Sequence, residues 1–206
     1  MRPENRASGQ RSGSFTEQAR RAQITAGAID VLSAEGYTAT SLAAIADRLG
    51  ISKGVISYHF AGKAELLQEV VRSVLAAAEA WMTPRIAGST SFTGAMRSYI
   101  AANLSFIDAH RRELFALTEV LANSRTSEGI PEIFGASQHE AVNALESLIA
   151  RGQAAGEFGE TSPTVVAMSL RASIDAVTGV LRENPEFDLT AFAAELTALF
   201  ERAIRK

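Results

Sequence analysis

The residues best able to do chemistry lie close together: Lys53, Ser57, Tyr58, His59 and Lys63, with Gly54 among them, in the run ISKGVISYHFAGK. Their chemistry is hydrogen-bond donation and offset of negative charge, which suits reversible recognition of a polar, anionic partner. Catalytic alternatives find no support. Cysteine is absent, which excludes a disulfide framework and thiol catalysis. No G-x-S-x-G, H-E-x-x-H or G-x-x-x-x-G-K motif occurs. His139, beside Glu140 and Asn143, has no second histidine at the spacing a metal needs, and His110 reads as a cation near a helix end. No metal, no cofactor and no enzymatic activity are expected.

The elements that position this cluster can be read from the stretch Thr40 to Lys63. Ser41 or Thr40 can cap a helix whose apolar stripe is Leu42, Ile45, Ala46 and Leu49. Gly50 follows where a left-handed residue is expected, and Ile51 plugs the turn. Ser52 can cap a second short helix, in which Ile56 and Phe60 face inward. Lys53, Gly54, Ser57, Tyr58 and His59 then face outward. A helix, a glycine turn and a second helix with a cationic outer face read as a helix-turn-helix whose second helix enters a DNA major groove.

The chain has 206 residues, 47% of them hydrophobic, which suits one large or two modest domains with a sizeable core. No run of eighteen apolar residues occurs, and the polar first fifteen residues lack the apolar core of a secretory signal, so a cytoplasmic protein is expected. Net charge is −3, an unusual sign for a DNA binder, but the acidic excess lies beyond Lys63 and the part before it is mildly basic. Phosphate contacts should then be few and well placed. Alanine and leucine are abundant and strand-type alternation is scarce, so the expected class is all-α, with about nine helices.

Residues 1–14 are expected to form a disordered tail. A first helix over Thr16–Ala34 buries Ile24, Ala28, Val31 and Leu32, and Gly36 stops it. Arg20 and Arg21 near its start hint at a role near phosphate. A helix from Lys63 to about Met82, broken at Pro84, links the reading head to a second core. The domain boundary is placed near Val74, giving a DNA-binding domain over 15–74 and an effector-binding and dimerisation domain over 75–206. Further helices follow to Ile204, separated at Asp108–His110, Asn123–Gly129, Gly156–Gly159 and Asn184-Pro185.

The runs Ile24–Ala28–Leu32, Glu35-Gly36-Tyr37, Thr40-Ser41-Leu42, Gly50-Ile51-Ser52-Lys53-Gly54, Tyr58-His59-Phe60 and Lys63-Ala64-Glu65-Leu66-Leu67 together closely resemble the DNA-binding domain of tetracycline-repressor (TetR) family regulators. The resemblance spans about Phe15 to Leu75; beyond it only length and helical character match. It implies that Lys53, Gly54 and Ser57 face base edges while Thr40, Tyr58, His59 and Lys63 hold phosphates, with Ser41, Ser52 and Val55 in the same surface. Val55 stands where the family often has threonine, and Ser57 where it often has an aromatic residue. The operator therefore cannot be borrowed from a relative.

The resemblance also implies a small-molecule effector, a palindromic operator and a homodimer. The expected function is a ligand-responsive repressor released by a largely apolar effector; the alternatives are an architectural DNA-binding protein without effector and, behind it, a helical enzyme. Candidate pocket residues combine aromatics with sparse polar groups: Trp81, Met96, Tyr99, Asn103, Phe106, Phe115, Thr118, Phe134, His139, Asn143, Met168 and Asp175. The last two helices carry apolar residues on more than one face, and the family pairs such helices into a four-helix bundle. Ile174, Val177, Leu181, Phe192, Leu196 and Leu199 are the candidate dimer contacts.

Overall fold

In the computed structural model the backbone is described for residues 7–124 and 129–206, and the side chains from residue 16 onward over the same span. The described residues form nine helices and no strand. They are α1 (Ala7–Ala39), α2 (Leu42–Leu49), α3 (Lys53–His59), α4 (Lys63–Ile86), α5 (Phe92–Ala109), α6 (Arg111–Asn123), α7 (Ile130–Ala154), α8 (Pro163–Glu183) and α9 (Leu189–Ala203). The all-α class follows from the sequence's 3.6-residue apolar rhythm.

Two helix limits differ from expectation. Helix α1 reaches back to Ala7, into the stretch expected to be a disordered tail; residues 1–6 lie outside the described residues. Extending an existing helix adds one hydrogen bond per residue fixed, which favours its continuation once nucleated. Helix α4 continues through Pro84 to Ile86. A proline in the last turn costs only a bond near an end already short of partners.

The chain divides into two compact units. One holds the residues up to Ser73 together with Ala116–Pro131; the other holds Val74–Phe115 and Glu132–Lys206. The division into 15–74 and 75–206 contained no such return of the chain to the first unit. Helices α4 and α6 each contribute to both units.

In the first unit the core is made by Ile24, Ala28, Val31 and Leu32 of α1, Ile45 of α2, Ile56 of α3, Phe60, and Leu66, Leu67, Val70 and Val71 of α4, all nearly or fully buried. Helix α1 packs on both α2 and α3. The crossing with α2 is close: a Cβ added at Gly27 would sit 2.7 Å from Leu49 Cγ. In the second unit one cluster joins Met96, Ile100, Leu104 and Ile107 of α5, Leu145 and Ile149 of α7, Leu170, Ile174, Val177 and Leu181 of α8, and Leu196 and Phe200 of α9. Helix α8 is long and apolar enough to cross a membrane, but its inward residues are spent in this core.

Candidate nucleic-acid interface

The helix-turn-helix is built by local rules. Ser41 caps α2, its hydroxyl accepting from the Ala44 amide at 3.1 Å. Gly50 takes the left-handed conformation at φ 63°, and the Ile51 amide returns to the Ala46 carbonyl at 3.0 Å. Ser52 precedes α3 in extended conformation but makes no side-chain cap bond. Ile56 and Phe60 are buried, which fixes the roll of α3. That roll leaves Ser52, Lys53, Gly54, Ser57 and Tyr58 exposed, Tyr58 at 82%, while Val55 and His59 are half-buried. A Cβ at Gly54 would find Ser52 Oγ at 3.6 Å, an ordinary contact, so the fold itself does not require glycine there.

Several residues expected on phosphates are engaged within the protein. Thr40 is buried and its hydroxyl donates to the Gly36 carbonyl at 2.8 Å, so its side chain is not free for a phosphate. It serves the kink where Gly36 turns at φ 81°. Lys63 donates to the Tyr37 carbonyl at 3.1 Å with its ammonium 4.0 Å from the centre of that ring. The Tyr37 amide in turn donates to Glu119 of α6 at 3.0 Å. The end of α1 beyond the Gly36 kink is thereby gripped at both peptide groups of Tyr37. In His59 the ring meets Tyr58 edge-on at 5.0 Å, and its Nδ1 is buried without a partner, which leaves Nε2 for any contact outside the protein.

Sequence reasoning missed how α3 is held. Arg21 of α1 donates to the His59 carbonyl and lies 4.1 Å over the Phe60 ring. It also pairs with Glu65 at 3.2 Å and Glu69 at 3.7 Å on α4. Glu65 accepts from the Ala61 amide at 2.7 Å, and that bond, with help from Arg21, keeps its carboxyl below the usual carboxylate range. The signal in the sequence was the position of Arg21 one turn before Ile24, beside the buried stripe and not opposite it.

The candidate pocket residues fare unevenly. Met96, Tyr99 and Phe106 are buried in the second unit, and Phe115 packs against its core. Trp81 is half-buried; its ring meets Phe106 at 6.2 Å and His110 at 5.2 Å, Arg85 covers it at 3.7 Å, and its Nε1 donates to Ser105 at 3.2 Å. Phe134 is half-buried, while His139, Asn143, Met168 and Asp175 are exposed. Thr118 is exposed and belongs to the first unit. Tyr99, Asn103 and Asp175 do converge, on a residue the sequence did not single out. Arg171 donates to the Tyr99 hydroxyl and to Asn103 Oδ1, each at 3.0 Å, and forks onto Asp175, which also accepts from Gln138 at 3.1 Å. Burial alone would lower the Arg171 guanidinium, but the Asp175 carboxylate and Tyr99 outweigh it and the net shift is upward.

Four of the candidate dimer contacts point the wrong way. Ile174, Val177, Leu181 and Leu196 are buried in their own core, and Phe192 packs against it. Apolar residues occur on more than one face of α8, and periodicity does not say which face turns inward. The outward apolar residues are Val165 at 62%, Met168 at 58% and Val180 at 38% exposure, with Leu199 of α9 at 52%.

Residues 24–70, from Ile24 in α1 to Val70 in α4, match the family described as bacterial regulatory proteins, tetR family. The HTH-type transcriptional regulator BetI of Paraburkholderia phymatum is 33% identical over 87 residues, which cover 42% of this chain and 44% of that protein. BetI of Burkholderia mallei is 35% identical over 85 residues, 41% of this chain and 44% of the relative. These matches take in less than half the length of the curated relatives. Among solved structures, a tetR-family regulatory protein from Rhodococcus RHA1 superposes with a TM-score of 0.77 at 22% identity, over 90% of this chain and 97% of that one. NalD of Pseudomonas aeruginosa, the secondary repressor of the MexAB-OprM multidrug efflux pump, superposes with a TM-score of 0.73 at 22% identity, over 93% and 98%. At these identities the structural likeness speaks for the fold, and the N-terminal match speaks for the helix-turn-helix region: over residues 24–70 the chain is similar to the tetR family of bacterial regulatory proteins.

Proposed function

We propose that this protein is a ligand-responsive transcriptional regulator, a repressor that binds a palindromic operator as a homodimer in the cytoplasm and is released by a small, largely apolar effector. The observation that carries the DNA-binding part is the exposed face of α3. Lys53, Ser57 and Tyr58 stand out from a helix rolled into place by Ile56 and Phe60. Lys53 reaches guanine O6 or N7, Ser57 reads a neighbouring edge, and the bare backbone at Gly54 allows close approach. Tyr58 and His59 Nε2 hold phosphates, which set register without reading sequence.

One such head buries too little for specific affinity, so two must act together. The outward face of α8 supplies the pairing surface. Val165, Met168, Ala172, Ala176 and Val180 recur at three and four residues and are all exposed, with Leu199 of α9 also exposed. Small residues at Ala172, Ala176 and Gly179 let two helices approach closely. The effector acts by linkage: a ligand that prefers a state with mis-spaced heads must weaken DNA binding by the same factor. Trp81, the single tryptophan, sits in the second unit among Phe106 and His110 and reports such a ligand by its fluorescence.

Selection of bound duplexes from a random pool tests the reading. A two-fold symmetric consensus is expected, and Lys53→Ala should relax preference at one position per half-site at a cost of about 1–3 kcal/mol. No enrichment of any sequence would overturn it.

A further inference from the structure

We propose that Arg21 is a positioning residue for the reading helix: it sets how the C-terminal end of α3 sits on α1 and α4, and it contacts no phosphate. The inference rests on the DNA-binding reading above and deepens it. Four groups converge on this one guanidinium: the His59 carbonyl at the last residue of α3, the Phe60 ring at 4.1 Å, Glu65 at 3.2 Å and Glu69 at 3.7 Å. The side chain is 29% exposed.

The chemistry follows from the shape of α3. A helix of seven residues leaves most of its carbonyls without intrahelical partners. The Phe60 amide closes on the Ile56 carbonyl at 2.9 Å, and Arg21 takes the carbonyl of His59. The planar fork of arginine can serve that carbonyl and the α4 carboxylates at once while its face rests on Phe60; an ammonium cannot. A phosphate approaching Arg21 would have to displace two carboxylates already paired with it. Arg20 provides the contrast. It is adjacent, exposed and bonded to the Gln23 side chain at 2.7 Å, outside this cluster.

The test uses the full-length protein and the duplex that wild type selects from a random pool. Affinity for that duplex and for a scrambled one is measured across salt for wild type, Arg21→Ala, Arg21→Lys, Arg20→Ala and Glu65→Gln. Melting curves verify that each variant folds. A pool in which wild type selects nothing refutes the DNA-binding reading itself, before any variant is compared.

Positioning predicts that Arg21→Ala and Arg21→Lys both narrow the ratio of specific to scrambled affinity, by about thirtyfold or more, roughly one base contact mis-set in each of two half-sites. The salt slope should stay at the wild-type value. Glu65→Gln keeps an acceptor for the Ala61 amide but removes the charge that holds Arg21. It should narrow the ratio too, although it makes the head more positive. A phosphate role predicts the opposite pattern: Arg21→Lys restores binding, Arg21→Ala flattens the salt slope by about one unit per contact, and Glu65→Gln tightens binding to both duplexes. That pattern, or an unchanged ratio in all three variants, overturns the proposal. Should Arg21→Ala fail to fold, Glu65→Gln and Arg21→Lys decide the outcome by themselves.

Discussion

Replacing Gly54 by alanine should separate folding from binding. Gly54 is the second residue of α3 and is exposed. It is not among the glycines with positive φ, and the added Cβ would lie 3.6 Å from Ser52 Oγ, an ordinary contact. Nothing in the fold therefore resists a methyl group. Alanine also loses less backbone entropy on folding, which contributes about 0.4–1 kcal/mol at a compatible position. For a chain of this size that raises Tm by roughly 1–4 °C. The bound state is different. If the backbone at Gly54 approaches a base edge or a phosphate as closely as glycine permits, the methyl costs about 1–3 kcal/mol per half-site, as overpacking does in a core. That is roughly fivefold to a hundredfold per half-site, and both half-sites carry it. Calorimetry or denaturant melts give the first quantity, and fluorescence anisotropy on the selected duplex gives the second. A variant that is more stable and binds as tightly as wild type would show that the backbone at Gly54 stands clear of DNA. A variant that is less stable would refute the packing argument instead.

Three further outcomes are expected. Gly27→Ala should behave in the opposite way: its Cβ would meet Leu49 carbons at 2.7–2.8 Å, so stability should fall by about 1–3 kcal/mol and DNA binding with it, as read by urea melts and anisotropy. Met168→Glu should leave the fold intact because Met168 is 58% exposed, yet yield monomers by light scattering and weaken operator binding; a stable dimer would refute pairing through α8. Acid should destabilise the protein through Glu65, Glu157 and Glu201. Their carboxyls sit below the ordinary range because of the Ala61 amide, the Thr93 amide and Arg97 respectively. A lowered folded pKa means stability that is full above the unfolded value and lost as pH falls through the folded one, so melting points should drop below about pH 4 and Glu157→Gln should flatten that drop.

What the sequence disclosed and what it hid divide along a physical line. Ser41, Gly50, Ile56 and Phe60 were legible because caps, left-handed turns and one apolar stripe are local rules. The outward set Lys53, Gly54, Ser57 and Tyr58 followed from that stripe. The internal partners of Thr40 and Lys63 were hidden because the Gly36 and Tyr37 carbonyls are backbone groups that carry no residue-type signal. Arg21 was hidden because its partners lie about forty residues away. In α8 and α9 the difficulty was of another kind. A helix apolar on several faces does not say which face goes inward, and Ile174, Val177 and Leu181 went in while Val165 and Met168 stayed out. The polar cluster of Arg171 with Tyr99, Asn103 and Asp175 joins α5 to α8 across more than sixty residues, beyond the reach of any pattern.

The fate of the cations in the first unit bounds how this protein can hold DNA. Arg48 is paired with Glu35 at 2.6 Å, Arg72 with Glu69 at 3.7 Å, and Arg21 with Glu65 and Glu69. Lys63 is committed in part to Tyr37. Among the described residues of this unit, Lys53 and Arg20 stand on the surface outside any ion pair. Each released counterion contributes about 0.9 to the logarithmic salt slope. Lys53 is assigned above to a base edge, so two such cations per head in a dimer set an upper bound on the slope of about −4, well short of the value near −10 of a repressor held by many phosphate contacts. On the reading proposed above, specificity then depends on fixing α3 accurately, the role assigned to Arg21 and Glu65. A measured slope no steeper than about −4 on the selected duplex is the expected result. A slope near −8 or steeper would show that other cations reach phosphates. Arg2, Arg6 and Arg11, whose side chains lie outside the described residues, are then the first to replace, and loss of the excess slope in that triple variant would assign it to them.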